Sequence, residues 1–244
     1  AVKAVGATPI FADIEMDSWN ICIKSAESLF SPRTKAIIPV HMYGHPARMD
    51  AIQLFAEQKG VRLIEDAAPA IGATWNGKKC GTFGDFAAFS FQGAKLLVTG
   101  EGGMLVTNDK YLYERARKIW DQGRNPAKVF WIDSPGVKYK MSNIQAAIGL
   151  GQLERVDELI QMKRRIFGWY KKHLSSVSEV ELNEEVDKAK SIYWMSSIIL
   201  QKNSKISRDD LIAELKKVNV DSRPVFPAIS QYPIWEIKQP SQPN

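Results

Sequence analysis

The sequence predicts an α/β protein: a mostly parallel sheet with helices on both faces, followed by a smaller α+β unit. Three observations carry this. Short apolar runs of strand length alternate with stretches of helical apolar spacing through residues 8–123. The polar tips of those runs carry His41, Asp66, Ser90 and Lys95, and ligands of such sheets sit beyond the carboxyl ends of the strands. After residue 142 the alternation stops, and one long helical pattern, an acidic stretch, a strand and a helix follow.

The elements run in this order. "TPIFADI" (8–14) reads as a short strand, and "AIIPV" within "TKAIIPVHMYG" (34–44) as a buried strand ending in a turn. "MDAIQLFAEQKG" (49–60) spaces Ile52, Phe55 and Ala56 as one helix face, with Gly60 as the stop. "VRLIEDAA" (61–68) is a strand with a polar tip, and "FAAFSF" (86–91) and "GMLVTN" (103–108) are two more strands. "DKYLYERARKIWDQG" (109–123) is a helix closed by Gly123. Ser142 and Gln145 form a capping box that opens a single helix to about residue 174. "SIYWMSSIIL" (191–200) reads as a strand, and "RDDLIAELKKVN" as a helix capped by Ser207.

The bulk composition excludes several classes. The chain has 244 residues, 45% of them hydrophobic and 25% charged, which is ordinary for a globular protein. No apolar run reaches the length of a membrane span, and no signal-peptide pattern occurs. Cys22 and Cys80 lie far apart with no metal-ligand spacing, which fits a reduced, cytoplasmic setting. The net charge is +6, with basic clusters at 162–165 and 170–173 that read as a solvated helix face. No nucleic-acid-binding signature and no nucleotide-binding glycine loop is present. His41 and His45 flank a turn without a third ligand, so no metal is expected. The opening "AVKAVGATPI", without methionine, leads us to expect a fragment with sequence missing at its front.

The stretch "SFQGAKLLVTGEGGM" (90–104) places one lysine among small and apolar residues. Lysine is ordinarily a solvated surface residue. Taken singly, Asp66, Ser90 and Lys95 each have a bland explanation. Taken together they match the needs of pyridoxal 5'-phosphate: an amine for its aldehyde, a carboxylate for its ring nitrogen and a hydroxyl for its phosphate. Lys95 supplies the amine, Asp66 the carboxylate and Ser90 the hydroxyl. Glycines near Lys95 allow the backbone close to the cofactor. Partial burial lowers a lysine's pKa and frees its amine to react.

The segments "GATPIFADI", "PRTKAIIPVHMYGHPARMDAI", "LIEDAAPAIGA", "GTFGDFAAFSFQGAKLLVTGEGGMLVTND" and "YKMSNIQAAIGLGQLERVDELI" resemble the DegT/DnrJ/EryC1 family of sugar aminotransferases. They cover most of residues 5–170, and "DSRPVFPAISQYP" is similar to that family's small-domain segment. "FQGAK" is most similar to the branch that makes perosamine-type 4-amino sugars. The resemblance implies the fold-type I architecture, with a sheet of the seven-stranded type incomplete at its N-terminal side. It places a large cofactor-binding domain at 1–160 and a smaller one at 161–244.

It also implies roles. Lys95 is the Schiff-base lysine and proton shuttle, Asp66 the ring-nitrogen partner and Ser90 a phosphate contact. Ala68 and Gln92 border the cofactor, Lys138 reaches the cofactor of a partner subunit, and Arg223 and His41 lie on the substrate side. The implied reaction transfers an amino group from glutamate to a nucleotide-linked 4-keto-6-deoxy sugar, in a homodimer with shared active sites. Relatives that dehydrate instead carry histidine where Lys95 stands. Three positions depart from the family pattern. Pro69 replaces a side chain that reaches the cofactor's 3-hydroxyl, Lys138 replaces an asparagine, and Gln92 replaces a histidine or phenylalanine. Pro69 keeps open a second reading, a non-catalytic regulatory or binding relative.

Overall fold

The computed structural model describes residues 1–235. Residues 236–244, the end of the expected second domain, lie outside them. The elements are α1 (Ile23–Ser28), β1 (Ala36–Ile37), α2 (Met49–Lys59), β2 (Arg62–Asp66), β3 (Thr74–Trp75), β4 (Lys78–Lys79), β5 (Phe86–Ser90), β6 (Gly103–Val106), α3 (Lys110–Trp120), α4 (Asn143–Leu153), α5 (Val156–Leu174), β7 (Val180–Leu182), β8 (Ala189–Lys190), β9 (Ile198–Leu200) and α6 (Arg208–Lys217).

The main sheet has the order β1-β2-β5-β6. β1, β2 and β5 are parallel, and β6 runs antiparallel to β5. This is the mostly parallel sheet the sequence predicts, with four strands among the described residues. Asp66 pairs with Ala88, and Ser90 pairs with Gly103. The carboxyl ends of β2 and β5 therefore open on the same side.

Two cores hold the layers. α2 buries Met49, Ile52, Phe55 and Ala56 against Ile37, Leu63 and Trp75. Gly60 closes that helix in the left-handed region at φ +62°, the conformation glycine adopts without a Cβ penalty. A second core joins Tyr43, Ala70, Ala73, Cys80, Ile160, Ile192 and Trp194. Distant segments meet here: α5 contributes Ile160, and the stretch before β9 contributes Ile192 and Trp194.

Several sequence expectations need correction. "TPIFADI" forms no strand; it makes only an isolated bridge from Ile14 to Ile21, and Ile10 and Ile14 stay exposed. The helix at 142–174 is two helices. The capping box at Ser142 and Gln145 is present, but the chain leaves helical geometry at Arg155 (φ −109°, ψ 12°). The two parts have different anchors, since α4 pins its Gln152 to the Val98 peptide and α5 turns Ile160 into the second core.

The strand expected at 191–200 is formed only at Ile198–Leu200. Upstream, Ser191 Oγ accepts from the Tyr193 N–H at 2.9 Å and donates to the Gly44 carbonyl at 3.0 Å. Tyr193 then takes φ +48°, so a local turn replaces the extended ladder. The hairpin β3–β4 was not expected from the sequence. Its turn residues Asn76 (φ +47°) and Gly77 (φ +78°) both take positive φ, as a two-residue hairpin turn requires.

Candidate functional site

The site grows out of the tips of β2 and β5. The Asp66 N–H donates to Pro39 O at 2.9 Å, and Asp66 O accepts from the His41 N–H at 3.1 Å. Both backbone groups are thus fixed, and the side chain is left to point beyond the sheet. Asp66 Oδ1 accepts from the Ala68 N–H at 3.1 Å, a local turn that holds the carboxylate. Ala68 meets Asp66 through its backbone N–H.

β5 ends at Ser90, whose Oγ has one long contact, from the Gln92 N–H at 3.4 Å. The hydroxyl is otherwise free to donate. The chain then turns tightly: Gln92 Oε1 accepts from the Ala94 N–H at 2.9 Å, and Gln92 O accepts from the Lys95 N–H at 2.8 Å. Gln92 therefore spends its side-chain oxygen on shaping the lysine turn.

Lys95 is half-buried. Among the described residues its ammonium has neither a hydrogen bond nor an ion pair. It lies 4.1 Å from the centre of the Trp194 ring, a cation–π distance. Burial pushes the amine below the usual lysine range, while the Asp66 charge acts in the opposite direction. An amine of this kind is unprotonated more often than a surface lysine and can attack a carbonyl. A half-buried amine, a held carboxylate and a free hydroxyl on one side of a sheet fit the donor set pyridoxal phosphate needs.

The structure does not bring the other sequence candidates to that cluster as donors. His41 is fully buried. Its Nδ1 accepts from the Ala47 N–H at 3.0 Å, so Nε2 carries the hydrogen and donates to Glu65 Oε2 at 3.1 Å. Both nitrogens are used inside the fold, with Glu65 and Ala47 as their partners. The Lys138 side chain is exposed and makes no hydrogen bond among the described residues. Arg223 is exposed and, among the described residues, pairs only with Asp221, at 3.5 Å. Its segment nevertheless returns toward the site: Phe226 stacks on Tyr43 at 5.9 Å, and Tyr43 stacks on Trp194 at 6.0 Å. Pro69 is buried and offers no side-chain donor.

A family model for the DegT/DnrJ/EryC1/StrS aminotransferase family matches residues 1–244. The chain belongs to that family. GDP-perosamine synthase of Caulobacter vibrioides is 42% identical over 227 residues, which cover 93% of this chain and 61% of that protein. Helicobacter pylori PseC, an aminotransferase in pseudoaminic acid biosynthesis, superposes with a TM-score of 0.90 at 26% identity, covering 96% of this chain and 63% of that one. The E. coli GDP-4-keto-6-deoxy-D-mannose-3-dehydratase, solved with bound hydrated PLP, superposes with a TM-score of 0.81 at 26% identity, covering 88% and 59%. This chain thus spans about three-fifths of the length of such relatives. The fold is that of the pyridoxal-phosphate-dependent members of this aminotransferase family.

Three residues around the site escaped the sequence reading. Trp194 supports Lys95 from 99 positions downstream, so no local pattern announces it. Gln152 holds the loop after the lysine by the N–H and the carbonyl of Val98, each at 2.9 Å. Glu65 stands beside Asp66 in "IEDAA", and an acidic residue at a buried strand position was the available signal. Among the described residues no helix is long and apolar enough to cross a membrane, and no cluster could hold a metal ion.

Proposed function

We propose that this protein is a pyridoxal-phosphate-dependent aminotransferase that moves an amino group from glutamate to a nucleotide-linked 4-keto-6-deoxy sugar. The observation that carries the reading is the Lys95 amine, half-buried, free of ion pairs and within the field of Asp66. Lys95 would hold the cofactor's aldehyde end, Asp66 its ring nitrogen and Ser90 its phosphate. When bound, the cofactor supplies the electron sink that makes a carbon–hydrogen bond next to the amine acidic. Lys95 can accept that proton at Nζ and return it, since burial holds its pKa below the usual lysine range. The Asp66 carboxylate, held by the Ala68 N–H, keeps a proton on the group facing it.

The sugar substrate is proposed from the Caulobacter relative's name, GDP-perosamine synthase, and from the "FQGAK" spelling around Lys95. The division at residue 160, the homodimer and the roles of Lys138 and Arg223 across it belong to the same reading. The exposed apolar surface of α4, with Ile144, Ile148, Leu150 and Leu153, is consistent with a subunit contact there.

The test is an absorption spectrum of the full-length protein with pyridoxal phosphate, before and after glutamate. A visible band that bleaches on glutamate and is missing in Lys95→Ala is expected. A folded protein that forms no band would overturn the enzyme reading in favour of a non-catalytic relative.

A further inference from the structure

Trp194 touches the lysine turn twice. Its indole N–H donates to the carbonyl of Ala94, the residue before Lys95, at 2.7 Å. Its ring face receives the Lys95 ammonium at 4.1 Å from the centroid. One side chain thus holds the backbone entering Lys95 and the amine at its far end.

The platform itself is firmly placed. Trp194 is 6% exposed. Tyr43 stacks against it at 6.0 Å and 24°, and Lys163 Nζ donates to its carbonyl at 3.1 Å. Gly44 packs under the same backbone: a Cβ there would lie 3.0 Å from Trp194 N and 2.5 Å from Ile192 Cγ1. A ring fixed on so many sides has little freedom to follow the lysine, so the lysine must follow the ring.

We propose that Trp194 is the positioning residue for Lys95, with its N–H setting the lysine turn and its ring face seating the amine. The assignment gains its catalytic meaning from the proposed function, but its geometry stands without it. The seat suits the amine's two states. A ring face attracts an ammonium through its quadrupole and offers no acceptor that would tie the neutral amine down. A carboxylate in the same place would lock the lysine protonated.

The test is competitive amine labelling of the cofactor-free, full-length protein across pH, with the Lys95 peptide read by mass spectrometry. Trp194→Leu keeps an apolar neighbour but removes the ring. The Lys95 labelling midpoint is expected to fall by about half a pH unit or more, the size of a lost cation–π contact. Trp194→Phe restores a ring face, and its midpoint is expected within about 0.3 units of wild type by the same contact.

Phe lacks the indole N–H, so amide exchange in the turn at 92–97 is expected to quicken about threefold or more in Trp194→Phe, the scale of one lost hydrogen bond. This second measurement needs only the conservative variant, should Trp194→Leu fail to fold. Equal midpoints in the Leu and Phe variants, or a raised midpoint in Leu, overturn the seat. Unchanged exchange in Trp194→Phe overturns the hold on the turn. The absorption band with pyridoxal phosphate is read separately in the wild type. Its absence would sink the aminotransferase reading while the labelling still decides the role of Trp194.

Discussion

Glu65 Oε2 accepts a hydrogen bond from His41 Nε2 at 3.1 Å, and neither side chain is exposed to solvent. The same carboxylate also accepts from the N–H groups of Gly81 at 2.7 Å, Phe83 at 2.6 Å and Gly84 at 2.8 Å. Four donors converge on one buried acid, next in sequence to Asp66. Glu65 therefore ties β2, the turn after β1 and the loop before β5 into one rigid base beneath the site.

Removing that acid leaves three backbone N–H groups and an imidazole N–H without a partner. Glu65→Ala is expected to cost about 3–5 kcal/mol in urea unfolding, as for one partner lost from a buried polar pair. Burial would raise this carboxyl, but the bonds from His41, Gly81 and Gly84 outweigh it and hold the group below its usual range. A carboxyl lowered in the folded state contributes stability that is complete above the unfolded value. That contribution is lost as pH falls through the folded value. The wild type should thus lose stability on acidification faster than Glu65→Gln. Parallel curves below the ordinary glutamate range would refute the assignment.

His45 gives a pH dependence in a higher window. Its Nδ1 donates to Pro46 O at 2.8 Å, and its Nε2 accepts from the Val186 N–H at 3.2 Å. A proton on Nε2 would face that N–H and break the contact. Burial is the main cause that pushes this imidazole below the usual histidine value, with Arg48 adding and Pro46, Glu185 and Asp17 opposing. The unfolded chain then binds the proton first, so stability rises with pH across this window and falls as pH drops from the ordinary value through the folded one. His45→Gln is expected to cost about 1–2 kcal/mol near pH 8 and to flatten the slope as pH drops below the ordinary histidine value. Equal slopes would show that His45 does not couple the two segments.

How much of this was legible in the sequence follows the range of each interaction. Asp66, Ser90 and Lys95 were readable because strand tips and a short glycine-flanked turn are local patterns. The Ser142 capping box, the Ser207 cap and the Gly60 stop were readable for the same reason. The turn at Asn76 and Gly77 is also local, and "WNGK" is its hairpin signal in the sequence. Trp194 and Gln152 were not readable, since their partners lie 100 and 54 residues away. The burial of His41 was not readable, because a histidine at a strand tip looks the same whether it faces a ligand or the core. Only its contacts with Ala47 and Glu65 decide that.

Asp66 can be probed without disturbing its turn. Asp66→Asn keeps an oxygen for the Ala68 N–H and removes the charge. That charge raises the Lys95 pKa against the larger effect of burial. The Lys95 labelling midpoint should therefore fall in Asp66→Asn, with thermal stability close to wild type. Under the aminotransferase reading, turnover should drop about 10²–10³-fold, the scale of one lost electrostatic partner in a site. A lowered midpoint with undiminished turnover would place Asp66 near Lys95 but outside the chemistry.

Gln152 offers the cleanest test of how the lysine loop is held. Its Oε1 accepts from the Val98 N–H and its Nε2 donates to Val98 O, so one side chain pairs with both groups of one residue, as a neighbouring strand would. Gln152→Ala removes both bonds and is expected to cost about 1–3 kcal/mol. Gln152→Glu keeps the acceptor, loses the donor and sets a negative charge against Val98 O, so its exchange pattern should be one-sided. The Val98 amide stays protected in Gln152→Glu and opens in Gln152→Ala, as amide exchange resolved to single residues would show. Protection lost equally in both variants would mean that α4 holds this loop by packing, and that the paired amide contributes little of its own.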